Sequence, residues 1–200
     1  MRSGRPRGGG CAPTCYVNAP PVHDEELVLR AHNGDMDALG VLVERHQGVV
    51  TRTVAAMLGR TPEVDDTVQD VFIRFYDSLD RYRGDASLET YLRRIAINRS
   101  LDVLRRRKRT RSIFTSLGAP GDSTRPAAFE NFDRAEHVHR AVQSLRPHYR
   151  SVVVLRLLEG YTTRETAQIL GVPVGTVLSR LSRASKMLRR TLQPLIDDDA

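Results

Sequence analysis

Few strand signals appear anywhere in this chain of 200 residues, and no stretch approaches the roughly 18 consecutive apolar residues that a membrane-crossing helix needs. The opening residues also lack the apolar core of a secretion signal, so a cytoplasmic protein without membrane insertion is expected. Cysteine is confined to Cys11 and Cys15, in an opening rich in Gly, Pro and Arg that reads as disordered over residues 1–22. A CxxxC pair near His23 could hold a metal or form a redox disulfide, but without a second ligand pair an idle tail is the simpler reading. The other histidines, His32, His46, His137, His139 and His148, are scattered; His137 and His139 share no helical face and read as surface residues. A phosphate-binding GxxxxGK[ST] loop is missing too. Together these absences argue against a nuclease, a helicase accessory or any other enzyme, and no cofactor or metal is expected.

What the chain does have is positive charge. The formal net charge is +7 and the isoelectric point is near 10.0, which favours a polyanionic partner without separating DNA from RNA or from an anionic membrane. Nearly all of it is arginine, since Lys108 and Lys186 are the only lysines, and arginine supplies planar forks for phosphate and guanine. With 40% hydrophobic residues, real cores are available.

The apolar pattern is helical. Asp24 is placed to cap a short helix through Arg30, and Asn33-Gly34-Asp35 forms a turn. A long helix is expected from Met36 to Leu58, broken by Gly59 and Pro62. The next starts near Glu63 and repeats Val64, Val68, Val71, Phe72, Phe75 and Leu79 at three-four spacing. After a polar loop around Gly84, a helix from Leu88 to Arg109 closes a first domain over 23–109. Residues 110–129, rich in Ser, Thr, Gly, Pro and Ala, read as a linker. Helical pattern resumes near Glu130 and fills a second domain over 130–193, with a frayed tail at 194–200. The fold class is therefore all-α: two small helical domains joined by a flexible linker.

The second domain ends in GYTTRETAQILGVPVGTVLSRLSRASKMLRR, from Gly160 to Arg190. Thr162 or Thr163 can cap a helix through Leu170, Gly171 ends it, and Pro173 fits the start of a second helix. Val177, Leu181, Ala184 and Leu188 make one apolar stripe on that second helix, opposite Thr176, Ser179, Arg180, Arg183 and Lys186. A short helix, a glycine turn and a helix with a cationic, hydroxyl-bearing face make a helix-turn-helix suited to duplex DNA. An ordinary helical hairpin with solvated arginines is the plainer alternative.

Three further surfaces stand out. Arg94, Asn98 and Arg105 share a stripe on the helix from Leu88, which finishes in Arg105-Arg106-Arg107-Lys108-Arg109; this suits a phosphate backbone, or is a solvated terminus complementing the helix dipole. Tyr82-Arg83-Gly84-Asp85-Ala86-Ser87, followed by Tyr91, combines aromatic and polar groups able to hold splayed bases, although a connector capped by Asp85 or Ser87 would look the same. Asp65, Asp66, Gln69, Asp70 and Asp77 form an acidic helix face that would repel DNA and suits a basic protein partner, or is simply solvated.

Asp66-Thr67-Val68-Gln69-Asp70-Val71-Phe72, then Tyr82 through Asn98 (YRGDASLETYLRRIAIN), then Gly171 through Leu181 (GVPVGTVLSRL) resemble, in this order, the signature segments of sigma-70-family initiation factors of the extracytoplasmic-function (ECF) group. The resemblance runs from Asp24 to about Leu192 apart from the linker. It implies a specificity subunit that binds core RNA polymerase and directs transcription initiation at promoters. It carries polymerase docking to Asp66, Gln69 and Asp70, and recognition and melting of the −10 element to Asp85, Ala86, Ser87, Tyr91, Arg94 and Asn98, with Arg105 on the same stripe. Duplex reading of the −35 element falls to Arg156, Thr176, Ser179, Arg180 and Arg183. Tyr91 stands where the family usually has Trp, Asp70 replaces Glu, and Leu178 occupies a position that is commonly Arg or Lys. A separate anti-sigma protein is the expected control. The alternative from another class is a stand-alone helix-turn-helix regulator that binds duplex operators without polymerase.

Overall fold

The computed structural model describes residues 23–116 and 134–197, and every regular element among them is helical. The expected opening over 1–22, with Cys11 and Cys15, lies outside the described residues, as does most of the expected linker.

Helix α1 spans Asp24–His32, with Asp24, Glu25 and Glu26 in its first turn and Arg30 and His32 in its last, matching the helix dipole at both ends. Asp24 does not cap it. His23 holds the cap position with no side-chain bond, and the Asp24 carboxylate is drawn across to α2, where it meets Arg45 at 2.5 Å and His46 Nε2 at 2.9 Å. His46 is buried, so this pair fastens α1 onto its neighbour. Asp35 caps α2 (Met36–Leu58) by accepting from the Ala38 amide at 3.0 Å.

Helix α3 (Glu63–Tyr76) buries Val68, Val71 and Phe75. It stops short of Leu79, which reaches the same core from a 3-10 turn over Leu79–Arg81. Ser78 makes that break, its hydroxyl donating to the Phe75 carbonyl at 3.1 Å and accepting from Tyr91 at 2.9 Å. Helix α4 (Leu88–Ser116) passes the expected end at Arg109. Thr110, Ser112 and Thr115 are only modest helix formers, but the first true breaker after them is Gly118. Leu42, Val50, Val54, Val71, Phe75, Leu92 and Ala96, from α2, α3 and α4, make the first core.

The second group holds α5 (Arg134–Ser144), α6 (Pro147–Val153), a wide π turn over Val154–Leu158, α7 (Thr163–Leu170) and α8 (Val174–Asp197). Thr162 caps α7 in a reciprocal box: the Glu165 amide donates to its hydroxyl at 3.2 Å, and the Glu165 carboxylate accepts from the Thr162 amide at 2.7 Å. Gly171 turns left-handed at φ +62°, and the Val172 amide reaches back to the Ala167 carbonyl at 3.1 Å. Val177 and Ala184 are fully buried, with Leu181 and Leu188 beside them, as the stripe requires. Helix α8 continues into the expected tail as far as Asp197.

The two groups pack against each other. Met57 and Ile97, from α2 and α4, are fully buried in one cluster with Val142, Leu145, Val153, Val154, Leu155, Ile169 and Ala184. Polar links cross the same seam. Gln143 Nε2 donates to the Ala56 carbonyl at 2.7 Å, Arg150 donates to the Met57 carbonyl at 2.5 Å, and Arg93 pairs with Glu159. Gly59 makes room there: its φ is +80°, and a Cβ would sit 3.4 Å from Gln143.

Candidate nucleic-acid interface

On α3 the buried stripe of Val68, Val71 and Phe75 forces the intervening residues outward, so Asp65, Asp66, Gln69 and Asp77 are exposed. Asp70 differs. It is half-buried and its carboxylate takes the Arg99 guanidinium of α4, itself buried, which also lies 3.6 Å from Asp102. Sequence reasoning missed two apolar members of the outward face, Ile73 and Tyr76, which are 58% and 43% exposed. They follow Asp66 and Gln69 at spacings of seven, so acidic, amide and apolar groups share one accessible strip.

Asp85, Ala86 and Ser87 form the exposed crest of the loop leading into α4. Ser87 is also the helix cap, since the Thr90 amide donates to its hydroxyl at 3.3 Å. Tyr82 braces the crest from behind by donating to the Ala86 carbonyl at 2.9 Å. Burial and the nearby Glu25 and Asp24 carboxylates push its phenol above the ordinary tyrosine value, which keeps that donor protonated. Tyr91 is half-buried, its ring 5.1 Å from Tyr82 and 6.4 Å from Phe75. It holds the loop against the core, and its ring is not freely displayed. Arg94 and Asn98 are exposed on α4, four residues apart on one face. Arg105 is exposed but pairs with Asp102 at 2.9 Å. Within the cationic run, Arg107 folds inward to Glu63 at 3.0 Å and Thr61 at 2.8 Å, leaving Arg106, Lys108 and Arg109 exposed.

In the helix-turn-helix, Ser179 and Arg183 are exposed, and Thr176 and Arg180 are half-buried. Arg180 lies near His148, whose imidazole is held below its ordinary value by burial and by the Arg180 and Arg146 cations, and so is neutral at pH 7. Arg156 is turned inward and half-buried, donating to the Tyr161 carbonyl and securing the turn that enters α7. Arg183, Lys186, Arg189 and Arg190 of α8 are thus exposed, while Arg180 is half-buried and Arg156 is turned inward. His137, expected at the surface, is buried on α5.

The sequence did not announce the burial of Arg93 and Arg150, because each has a partner remote in the chain, Glu159 and Met57 respectively. Arg93 is flanked by Glu89 at 2.5 Å and by Glu159, and it lies 5.2 Å over the Tyr161 ring. Arg150 fans its guanidinium across the carbonyls of Met57, Gln143 and Leu145 and the Gln143 side chain. Burial, and then the Arg107 cation, push its pKa down to about 10, so it stays charged at neutral pH. Both side chains tie the helical groups together rather than face solvent.

Comparison with known families meets these surfaces directly. The Sigma-70 region 2 family model matches residues 42–110, which include the α3 strip, the loop and most of α4, and the Sigma-70 region 4 model matches 135–188, which include the helix-turn-helix. The ECF RNA polymerase sigma-E factor of Escherichia coli K12 is 36% identical over 187 residues, covering 86% of this chain and 96% of that protein. The factor of the same name from Haemophilus influenzae is 29% identical and is covered in full. Among solved structures, CnrH in complex with the cytosolic domain of CnrY superposes with a TM-score of 0.61 at 28% identity, over 88% of this chain and 99% of that one. The chain belongs to the sigma-70 family, in its ECF group, and serves as a sigma factor of RNA polymerase.

Proposed function

We propose that the exposed faces divide the work of initiation. The α3 strip of Asp66 and Gln69, continued by Ile73 and Tyr76, docks on core RNA polymerase, where a basic partner surface complements the carboxylates and the apolar pair supplies burial. Asp70 acts in that face through its pair with Arg99, which fixes α3 against α4. The crest of Asp85, Ala86 and Ser87, with Arg94 and Asn98 on the following helix, takes the −10 element as unstacked strand; Tyr91 supports the loop and Arg105 meets phosphate. Melting is driven by binding: captured bases offset unstacking, which costs a few kcal/mol per flipped base. Helix α8 reads the −35 element in duplex form through Thr176, Ser179 and Arg183, with Arg180 at its edge. Arg156 positions the turn and reaches DNA only if it leaves the Tyr161 carbonyl.

The domains that act are 23–109 and 130–193. The protein works in the cytoplasm as a specificity subunit without catalytic residues of its own. CnrH is held by the cytosolic domain of CnrY, and by analogy a separate anti-sigma protein controls this chain. The observation that carries the reading is the segregation of charge: an acidic strip on α3, and cationic faces on α4 and α8, all turned to solvent.

Run-off transcription with purified core polymerase and a genomic fragment library tests it. Asp66→Ala with Gln69→Ala is expected to weaken association with core while leaving the helical circular dichroism unchanged. Arg183→Ala is expected to cost about 1–3 kcal/mol of promoter binding, lost at the −35 element. Binding to core no tighter than that of an unrelated basic protein would end this reading.

A further inference from the structure

The reading face of α8 is not wholly polar. Leu178 is 53% exposed and Val174 is 44% exposed, one helical turn apart. The residues beside Leu178 on the outward side are Gly175 and Ser182, both small and both exposed, so nothing on the helix covers its methyl groups. Ser179 and Arg183 adjoin this apolar pair and are exposed with it.

Gly175 needs an explanation of its own. It lies in the first turn of α8 without a positive φ, and a Cβ built on it would meet nothing within 4 Å. Neither backbone strain nor packing inside the protein calls for glycine there, and glycine is a poorer helix former than alanine. A partner that approaches closely at this spot accounts for the missing side chain. The partner's chemistry follows from the surroundings: a polyanion to suit Arg183 and Lys186, with an apolar group to meet Leu178. In the major groove the thymine C5-methyl is the apolar group that base edges display.

We propose that Leu178, with Val174 beside it and Gly175 leaving room for the base edge, selects thymine in the duplex promoter element by contact with its C5-methyl. This rests on the reading of α8 as the duplex-contacting helix. The site therefore discriminates T from C by a methyl group rather than by a hydrogen bond, and Leu178 contributes no counter-ion.

The test uses holoenzyme, the full chain on core polymerase, and a promoter recovered from run-off transcription. Each thymine of the duplex element, on either strand, is replaced in turn by deoxyuridine, which removes only the methyl. Wild type is expected to lose about fourfold in affinity at one or two positions, the value of a buried methyl-sized group at ~0.8 kcal/mol. Leu178→Ala is expected to bind more weakly and to show no loss at those positions. Leu178→Arg is expected to shift preference there toward guanine, which a guanidinium can address in bidentate fashion.

Equal binding of thymine and deoxyuridine duplexes at every position, while Arg183→Ala still weakens binding, would overturn the methyl contact and leave the duplex reading of α8 intact. So would an element without an A·T pair. If neither deoxyuridine nor Arg183→Ala changes binding, the assignment of α8 itself falls, and the methyl contact with it.

Discussion

The two helical groups are held together in different ways. The first has a core of its own, in which Val50, Val54, Val71, Phe75 and Ala96 are all fully buried among α1 to α4. The second group keeps Val152, Ala167 and Val177, from α6, α7 and α8, in a separate cluster, while Val142, Leu145, Val153, Val154, Leu155, Ile169 and Ala184 share one with Met57 and Ile97 of the first group. Burial of apolar area is the main favourable term in folding, so the first group keeps a cluster of its own whereas the larger cluster of the second is closed by the first. The two groups are therefore coupled through the seam.

Ile97→Ala tests that dependence most strongly. Truncating a fully buried isoleucine costs about 2–5 kcal/mol. Hydrogen exchange is expected to rise mainly in α5 to α8, while the amides of α2 and α3 keep their protection. Uniform loosening of both groups would show that they stand or fall as one. Glu159→Ala should cost less, about 2 kcal/mol, because Arg93 keeps Glu89 as a partner after losing its carboxylate across the seam. Chemical denaturation should then resolve a first transition belonging to the helix-turn-helix group.

The smallest effect is confined to one helix. Thr162→Ala removes the α7 cap and should cost about 1 kcal/mol, read as faster exchange at the start of α7 alone. Its partner Glu165 is held below the ordinary carboxyl value, first by the hydrogen bonds from Thr162. A lowered carboxyl stabilises the fold above the unfolded Glu range and loses that contribution as pH falls through the folded value. Wild type should therefore lose the Glu165 contribution on acidification below the ordinary carboxyl range, whereas Thr162→Ala should lose less.

The legibility of the chain follows interaction range. Val68, Val71 and Phe75 announced α3 by spacing, and Thr162, Gly171 and Pro173 announced the helix-turn-helix, because stripes and caps are local rules. Asp24 was misread for the opposite reason: a good cap residue locally, it is claimed by Arg45 and His46 from another helix. Arg156 is held by the carbonyl of Tyr161, a bond that no spacing rule announces. The outward set of Asp66, Gln69, Arg94, Asn98, Ser179 and Arg183 was readable because exposure is the complement of a periodic apolar stripe. The Arg93–Glu159 and Arg150–Met57 links had no such signal, since each joins positions whose separation in the chain says nothing of their distance in space.

That seam also sets a limit on reach. A single packed body the size of the described residues has a radius of gyration of about 15 Å and so measures roughly 40 Å across. Sites named for positions about 25 base pairs apart lie about 85 Å from one another along straight duplex at 3.4 Å per step. While Met57 and Ile97 stay covered, a body of this size does not span that distance. A molecule that engages both ends of a start site at once must first part this seam.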